Sequence, residues 1–388
     1  MNPFDEELKL RLHALHAQGL QRELRRVDSP QSPRIEIAGK TFLNFSSNDY
    51  LGLANHPALK EAAIKAVEQF GAGAGASRLI CGSLTPFHDL EEALADFKGT
   101  EAALTFSTGY AAALGTITAL CGKDDIVILD KLVHASIVDA ARLSGAKLRI
   151  FDHNDLNDLE DKLKWATQQT ASETSINKRQ TLIVTESIFS MDGDAAPLVE
   201  IVALKEKYGA WLMVDEAHAT GLYGQNGRGL ADESGVSRQI EIQIGTLGKA
   251  LGASGGYICG SRPLIDLLVH RARSFIFSTA PVPAAAAAAI AGIHLAQSAD
   301  GFKRRDLLWQ LVRQFNAKSV SAIIPIIVGD EIKAVELASQ LRARNLFIPA
   351  IRYPTVARGS ARLRVTLTAS HTLENVSKLQ AALHILNP

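Results

Sequence analysis

Residues 245–256 read GTLGKALGASGG, and the way the chain enters and leaves this stretch decides the fold. Lys249 stands among small residues, with Gly248 before it and Ala250, Gly252, Ala253, Gly255 and Gly256 after it. Such a run leaves open space around the ammonium, as a flat ligand would need. Upstream, Ile240, Ile242 and Ile244 alternate with polar residues, so a strand carries the lysine to the end of a sheet. Taken alone, the run is equally well a glycine-rich loop with an incidental lysine. The neighbouring WLMVDEAHATG (211–221) tips the balance, because an apolar strand runs out at Asp215 and His218 follows in a small-residue turn.

The same rhythm extends outward. EAALTFS, IVILD, KLRIF, TLIVTE and WLMVD read as strands, and helical periodicity follows each of the first four. This alternation predicts an α/β fold: a large domain with a mostly parallel sheet, helices on both faces, and ligands bound beyond the carboxyl ends of the strands. His134, Ser190, Asp215 and Lys249 all fall at such ends. The strand running through Thr108 and Gly109 into a helix predicts an anion site, since first-turn N–H groups lack partners there. GAGAGAS (71–77) does not fit a phosphate-loop pattern and reads as a tight backbone passage.

Towards the N-terminus, Phe4, Leu8, Leu12 and Leu15 recur at helical spacing and predict an amphipathic helix that covers a body or a partner. A hairpin turning at Gly39–Lys40 comes next, and Thr85–Pro86 reads as the cap of a further helix. Beyond the alanine-rich run at 284–289 the strands thin out, which predicts a small α+β C-terminal domain. The expected divisions are 1–45 (helix and hairpin), 46–285 (large domain) and 286–388 (small domain).

A lysine, an aspartate and a histidine at strand ends suit pyridoxal 5'-phosphate, which needs an amine for its aldehyde and an anion beside its ring nitrogen. A partly desolvated lysine also reacts more readily as a neutral amine. The sequence D-E-A-H has a rival reading as part of a helicase-type nucleotidase, but that requires G-x-x-x-x-G-K-[ST]. At Gly248–Lys249 the first glycine position holds Gln243 and the Ser/Thr position Ala250, so the helicase reading fails. His134, a histidine at a helix start, is by itself a cap; the cofactor ring gives it a stacking role as well.

Composition sets the outer limits. The 388 residues are 47% hydrophobic and 21% charged with zero formal net charge, which favours a soluble enzyme and leaves no electrostatic footprint for nucleic acid or a membrane surface. Three cysteines, Cys81, Cys121 and Cys259, are widely spaced; they predict a reducing, cytoplasmic setting and no metal site.

SNDYLGL (47–53), HASIVDAARLSGA (134–146), ESIFSMDGD (186–194), VDEAHATGLYGQNGRG (214–229) and GTLGKALGASGG resemble the α-oxoamine synthases, which are fold-type I pyridoxal-phosphate enzymes. The ending IRYPTVARGSARLRVTLTASH (351–371) is most similar to members that work in biotin biosynthesis. The resemblance implies decarboxylative condensation of an amino acid, here L-alanine, with a pimeloyl thioester of coenzyme A or acyl carrier protein. Glycine acetyltransferases and 5-aminolevulinate synthases share the machinery with shorter donors, and a non-catalytic subunit would have no need of the lysine. By the same resemblance Lys249 holds the cofactor aldehyde and moves the α-proton, Asp215 pairs the ring nitrogen, and His218 the ring oxygen. His134 stacks on the ring with Ser190 nearby, while Gly109, Tyr110 and Thr246 surround the phosphate. Arg364 grips the amino-acid carboxylate, and Thr355 and Arg22 line the acyl side, with Arg25 a close competitor of Arg22. Tyr353 stands where the family often has proline. A homodimer with shared active sites is implied through Ser278 and Thr279 in SFIFSTAPVP.

Overall fold

The computed structural model describes residues 2–170 and 179–386. The chain forms two compact units: the first comprises Met1–Asn48, Met191–Gly193 and Leu307–Pro388, the second Asp49–Ser190 and Asp194–Asp306. These limits differ from the expected ones. The N-terminal segment is no separate piece, and the second unit continues past 285.

The first unit opens with α1 (Pro3–Ala17), capped by Asn2, whose side chain accepts from the Phe4 N–H. The expected helix is there, but it buries none of its residues: Phe4, Leu8, Leu12 and Leu15 are all exposed. β1 (Arg34–Ile37) and β2 (Lys40–Asn44) form a hairpin around Ala38 and Gly39, both at positive φ.

In the second unit, α2 (Pro57–Phe70) and α3 (Thr85–Lys98) both start on a first-turn proline. The cap residue of α3 is Leu84, without a side-chain bond, so Thr85 and Pro86 lie within the helix instead of capping it. There follow β3 (Ala102–Phe106), α4 (Gly109–Leu120), β4 (Ile126–Asp130), α5 (Ala135–Ser144), β5 (Lys147–Phe151) and α6 (Leu156–Thr170). Next are β6 (Thr181–Glu186), α7 (Leu198–Tyr208), β7 (Trp211–Asp215), α8 (Leu230–Glu233), β8 (Ile242–Thr246) and β9 (Gly256–Gly260). α9 (Arg262–Arg271), α10 (Arg273–Ile276), α11 (Pro283–Gln297) and the start of α12 (Ala299–Phe315), whose residues from Leu307 on belong to the first unit, end the run.

The sheet has the order β3-β9-β8-β7-β6-β4-β5. β4 to β8 run parallel, as expected, while β9 is antiparallel to both β3 and β8. Alternate residues feed two apolar layers. Val127, Leu129, Val184 and Met213 pack with Ile117 and Ile137 on one face; Ile126, Ile128, Ile183 and Leu212 pack with Leu159 and Ile201 on the other. Strands buried on both faces explain why they read as continuous apolar runs.

The alanine-rich α11 belongs to this unit because it packs against α2 and α3. Its small residues have a purpose: a Cβ on Gly292 would lie 2.2 Å from the Leu251 carbonyl oxygen, so α11 can approach the lysine loop only where its surface is bare.

The remainder of the first unit comprises β10 (Ile323–Gly329), α13 (Glu331–Ala343), β11 (Leu346–Phe347), β12 (Ala350–Ile351), β13 (Ala361–Thr366) and α14 (Leu373–Leu386). β11 pairs in parallel with β2, which is why the N-terminal hairpin joins the C-terminal residues. β10, β13 and β12 form a second small sheet. Among the described residues no helix is long and apolar enough to cross a membrane.

Candidate active site

In the second unit, β7 ends at Asp215, and Oδ1 of Asp215 accepts from the Ala217 N–H at 2.8 Å. This bond closes the turn that presents His218. The imidazole is buried, with Nδ1 2.6 Å from the Tyr50 hydroxyl and Nε2 2.9 Å from the Lys249 amine. Lys249 itself is half-buried in the loop after β8. Burial pushes the Asp215 pKa above the ordinary carboxylate range, against the pull of Lys249, the Ala217 N–H and His134.

The end of β6 supplies Glu186, in register with Asp215 on β7. Its carboxyl accepts from the Ser190 N–H at 3.1 Å, and Ser190 is buried. His134 is the cap residue of α5; Nδ1 lies 2.8 Å from the Ser136 hydroxyl and accepts from the Ser136 N–H. The capping role expected of a histidine at a helix start is therefore present. Loss of hydration lowers the His134 pKa, while Asp215 raises it and Lys249 lowers it further, so those three groups feel one another.

Thr108 caps α4 by accepting from the Ala111 N–H, and Gly109 is the first helical residue. Gly256 lies directly against that turn: a Cβ there would sit 2.5 Å from Gly109 Cα and from Gly109 N. The Thr246 hydroxyl donates to the Gly255 carbonyl and accepts from the Gly248 N–H, which pins the loop carrying Lys249. Tyr110 is exposed and donates to Asp139 at 2.7 Å, a bond that raises its pKa.

The first unit holds Arg22, Thr355 and Arg364. Arg364, on β13, is buried and donates to Asn48 Oδ1 at 3.1 Å and to the Thr366 hydroxyl at 2.9 Å. Arg22 and Thr355 line one groove of about 830 Å³ together with His16, Arg25 and Arg352. Arg364 is not among the residues lining it.

Sequence comparison gives this arrangement its context. The sequence model of the aminotransferase class I and II family matches residues 40–383. The 8-amino-7-oxononanoate synthase of Thermoanaerobacter pseudethanolicus is 46% identical over 379 residues, covering 95% of this chain and 93% of that protein. That of Geotalea daltonii is also 46% identical, over 99% of this chain and 97% of the relative. The chain belongs to the 8-amino-7-oxononanoate synthase family. Among solved structures, serine palmitoyltransferase from S. paucimobilis with PLP and myriocin bound is similar at a TM-score of 0.90, 30% identity and full coverage of both chains. An 8-amino-7-oxononanoate synthase from Francisella tularensis is similar at 0.74 and 27% identity, over 89% of this chain and 98% of the other.

The enzyme is thus a pyridoxal-phosphate-dependent acyltransferase of the fold-type I class. Its own residues fit that cofactor. An amine within hydrogen-bond distance of an imidazole, a desolvated carboxyl that would gain from a cation, and a helix start packed on a bare glycine occupy strand ends of one sheet. Sequence reading did not single out two members of this constellation. Tyr50 lies in the SNDYLGL stretch and Glu186 opens ESIFSMDGD, but no local spacing ties either to Lys249.

Proposed function

We propose that the enzyme joins L-alanine to a pimeloyl thioester, forming 8-amino-7-oxononanoate with loss of carbon dioxide and free thiol, in the cytoplasm. The observation that carries this reading is the Lys249 amine, 2.9 Å from His218 Nε2 in a loop cleared of large side chains. When bound, pyridoxal phosphate supplies a ring that accepts the electron pair left at the α-carbon. The chain must then hold the ring, move one proton and exclude water. Lys249 would provide the amine that holds the cofactor aldehyde, and as a free amine it would take the α-proton. With His218 accepting at Nε2, its Nδ1–H donates to Tyr50, which fixes the tautomer. Asp215 provides the anion for the ring nitrogen, and its raised pKa marks a carboxyl whose charge gains from a cation placed against it.

His134 is the residue we assign to the ring face, with Ser190 beside it. Gly109, Tyr110 and Thr246 we assign to the phosphate. Arg364 is suited to the alanine carboxylate, because a guanidinium pairs with a carboxylate through two parallel bonds. Arg22 and Thr355 we assign to the acyl substrate, which the basic lining of their groove favours. The acyl group arrives on coenzyme A or acyl carrier protein.

A homodimer with shared sites completes the reading. Thr279 forms a bridge with Ser77, and beside that bridge Phe277, Leu79 and Ile80 are all exposed. Clustered apolar exposure of this kind favours a protein partner, and a second copy offers the same patch by symmetry.

The test is thiol release from a panel of acyl thioesters with L-alanine or glycine. Turnover should be fastest with L-alanine and a pimeloyl thioester. Faster turnover of glycine with an acetyl donor would overturn the substrate assignment and leave the family standing.

A further inference from the structure

Glu186 is the last residue of β6 and pairs in parallel register with Asp215, the last residue of β7. Residues in register share one side of a sheet, so two carboxyl groups stand next to each other there. Glu186 is only 2% exposed. One oxygen, Oε2, accepts from the Ser190 N–H, and the His134 N–H also interacts favourably with the carboxyl. The other oxygen, Oε1, is buried with no hydrogen-bond partner. A carboxylate with a bare, buried oxygen beside a second carboxylate is an expensive arrangement, whereas a neutral acid carries a proton on the bare oxygen and avoids the repulsion.

We propose that Glu186 is a positioning residue that works as a neutral acid, holding the main chain of Ser190 and His134 while leaving Asp215 as the ionised member of the pair. The groups that face it are Asp215, Lys249 and His134. Burial raises its pKa most and Asp215 adds to the rise, while Lys249 and the two N–H groups oppose it. A shared pair that ionises once is a general way to keep one charge fixed at a known place. The consequence for the reaction is that the negative charge stays on Asp215, where the reading above puts the ring nitrogen. The inference rests on that reading for its purpose but not for its protonation state.

The deciding measurement is infrared difference spectroscopy of the full-length holoenzyme carrying ¹³C-labelled glutamate, wild type against Glu186→Gln, at neutral pH. The wild type should show the carbonyl stretch of a protonated carboxylic acid, and the variant should lose it. Loss of an ionised carboxylate band instead would overturn the proposal. In turnover assays, Gln should rescue what Ala removes, because an amide accepts from the Ser190 N–H and is uncharged, as the neutral acid is. We expect Glu186→Gln within about tenfold of wild-type kcat and Glu186→Ala lower by about a hundredfold or more. Equal losses in the two variants would count against the neutral acid. Should the Gln chain fail to fold, Glu186→Asp under ¹³C-aspartate labelling should carry the protonated band, and its absence would also overturn the proposal. If Lys249 were not the cofactor lysine, the borohydride test below would fail while the infrared band remained, so the two failures are distinguishable.

Discussion

Tyr50 and His218 are joined by a 2.6 Å hydrogen bond across 168 positions of sequence, and the far side of the same imidazole meets Lys249. The phenol is fully buried and meets the ring edge-on, 6.0 Å between centroids. His218 is therefore held between Tyr50 at one ring nitrogen and Lys249 at the other. Tyr50→Phe should lower kcat by roughly tenfold through His218 and cost about 1–3 kcal/mol of stability for the unpaired ring nitrogen. The pH profile of kcat should shift as well. An unchanged profile and rate would assign the tyrosine to packing alone.

Lys249 should carry the cofactor covalently. Purified enzyme should be yellow, and borohydride should fix the chromophore to the peptide containing Lys249. Lys249→Ala should abolish that linkage and reduce turnover by at least about a thousandfold, as for removal of other nucleophiles. A variant that still yields a borohydride-fixed peptide would place the linkage on another lysine.

Asp215→Asn changes charge with little change in shape. The barrier for exchange of the alanine α-proton should rise by about 3 kcal/mol, typical of a lost electrostatic stabiliser. Proton exchange followed by NMR in deuterated water measures this without the acyl donor. Near-normal exchange would remove Asp215 from its role.

His153 gives a pH-dependent stability test. Its ring lies 3.0 Å from Asp130 and 2.7 Å from Asp194, edge-on to Phe189, and is about a quarter exposed. Burial opposes its charge, but the bonds and charges of the two aspartates outweigh that and raise its pKa to about 10. The unfolded imidazole titrates near its ordinary value of about 6.5, so this interaction is fully present below that pH and is lost as pH rises through the folded value. Discounted for solvent screening, His153→Gln should destabilise the chain by about 2 kcal/mol near pH 6, with the difference fading above about pH 10. Denaturant titrations at the two pH values measure it. A difference that does not depend on pH would mean that the ring is packed, not paired.

Shared active sites predict complementation. A Lys249→Ala chain mixed with a Ser278→Ala, Thr279→Ala chain should regain activity, since one site of the mixed dimer then carries both lesions and the other neither. Both parents should be inactive alone. Confirmed subunit exchange with no recovery would show that each chain builds its site unaided.

The sequence by itself determined what short spacing encodes. Alternating apolar strands and amphipathic helices prescribe the α/β body, because a period of two or of 3.6 is a local property. The same holds for a strand that ends at Asp215 with His218 three residues on, and for a lysine in a run of small residues. Tertiary structure decided what joins distant segments. β9, GYICG, is too short and too glycine-rich to announce itself, yet it runs antiparallel between β3 and β8. The N-terminal hairpin joins the C-terminal residues through a two-residue parallel pairing that no local pattern signals. Tyr50 reaches His218, and Glu186 comes beside Asp215, only because the chain returns to the same strand ends. Side-chain type is written in the sequence; which carboxyl loses its water, and which charge then stands beside it, is set by packing.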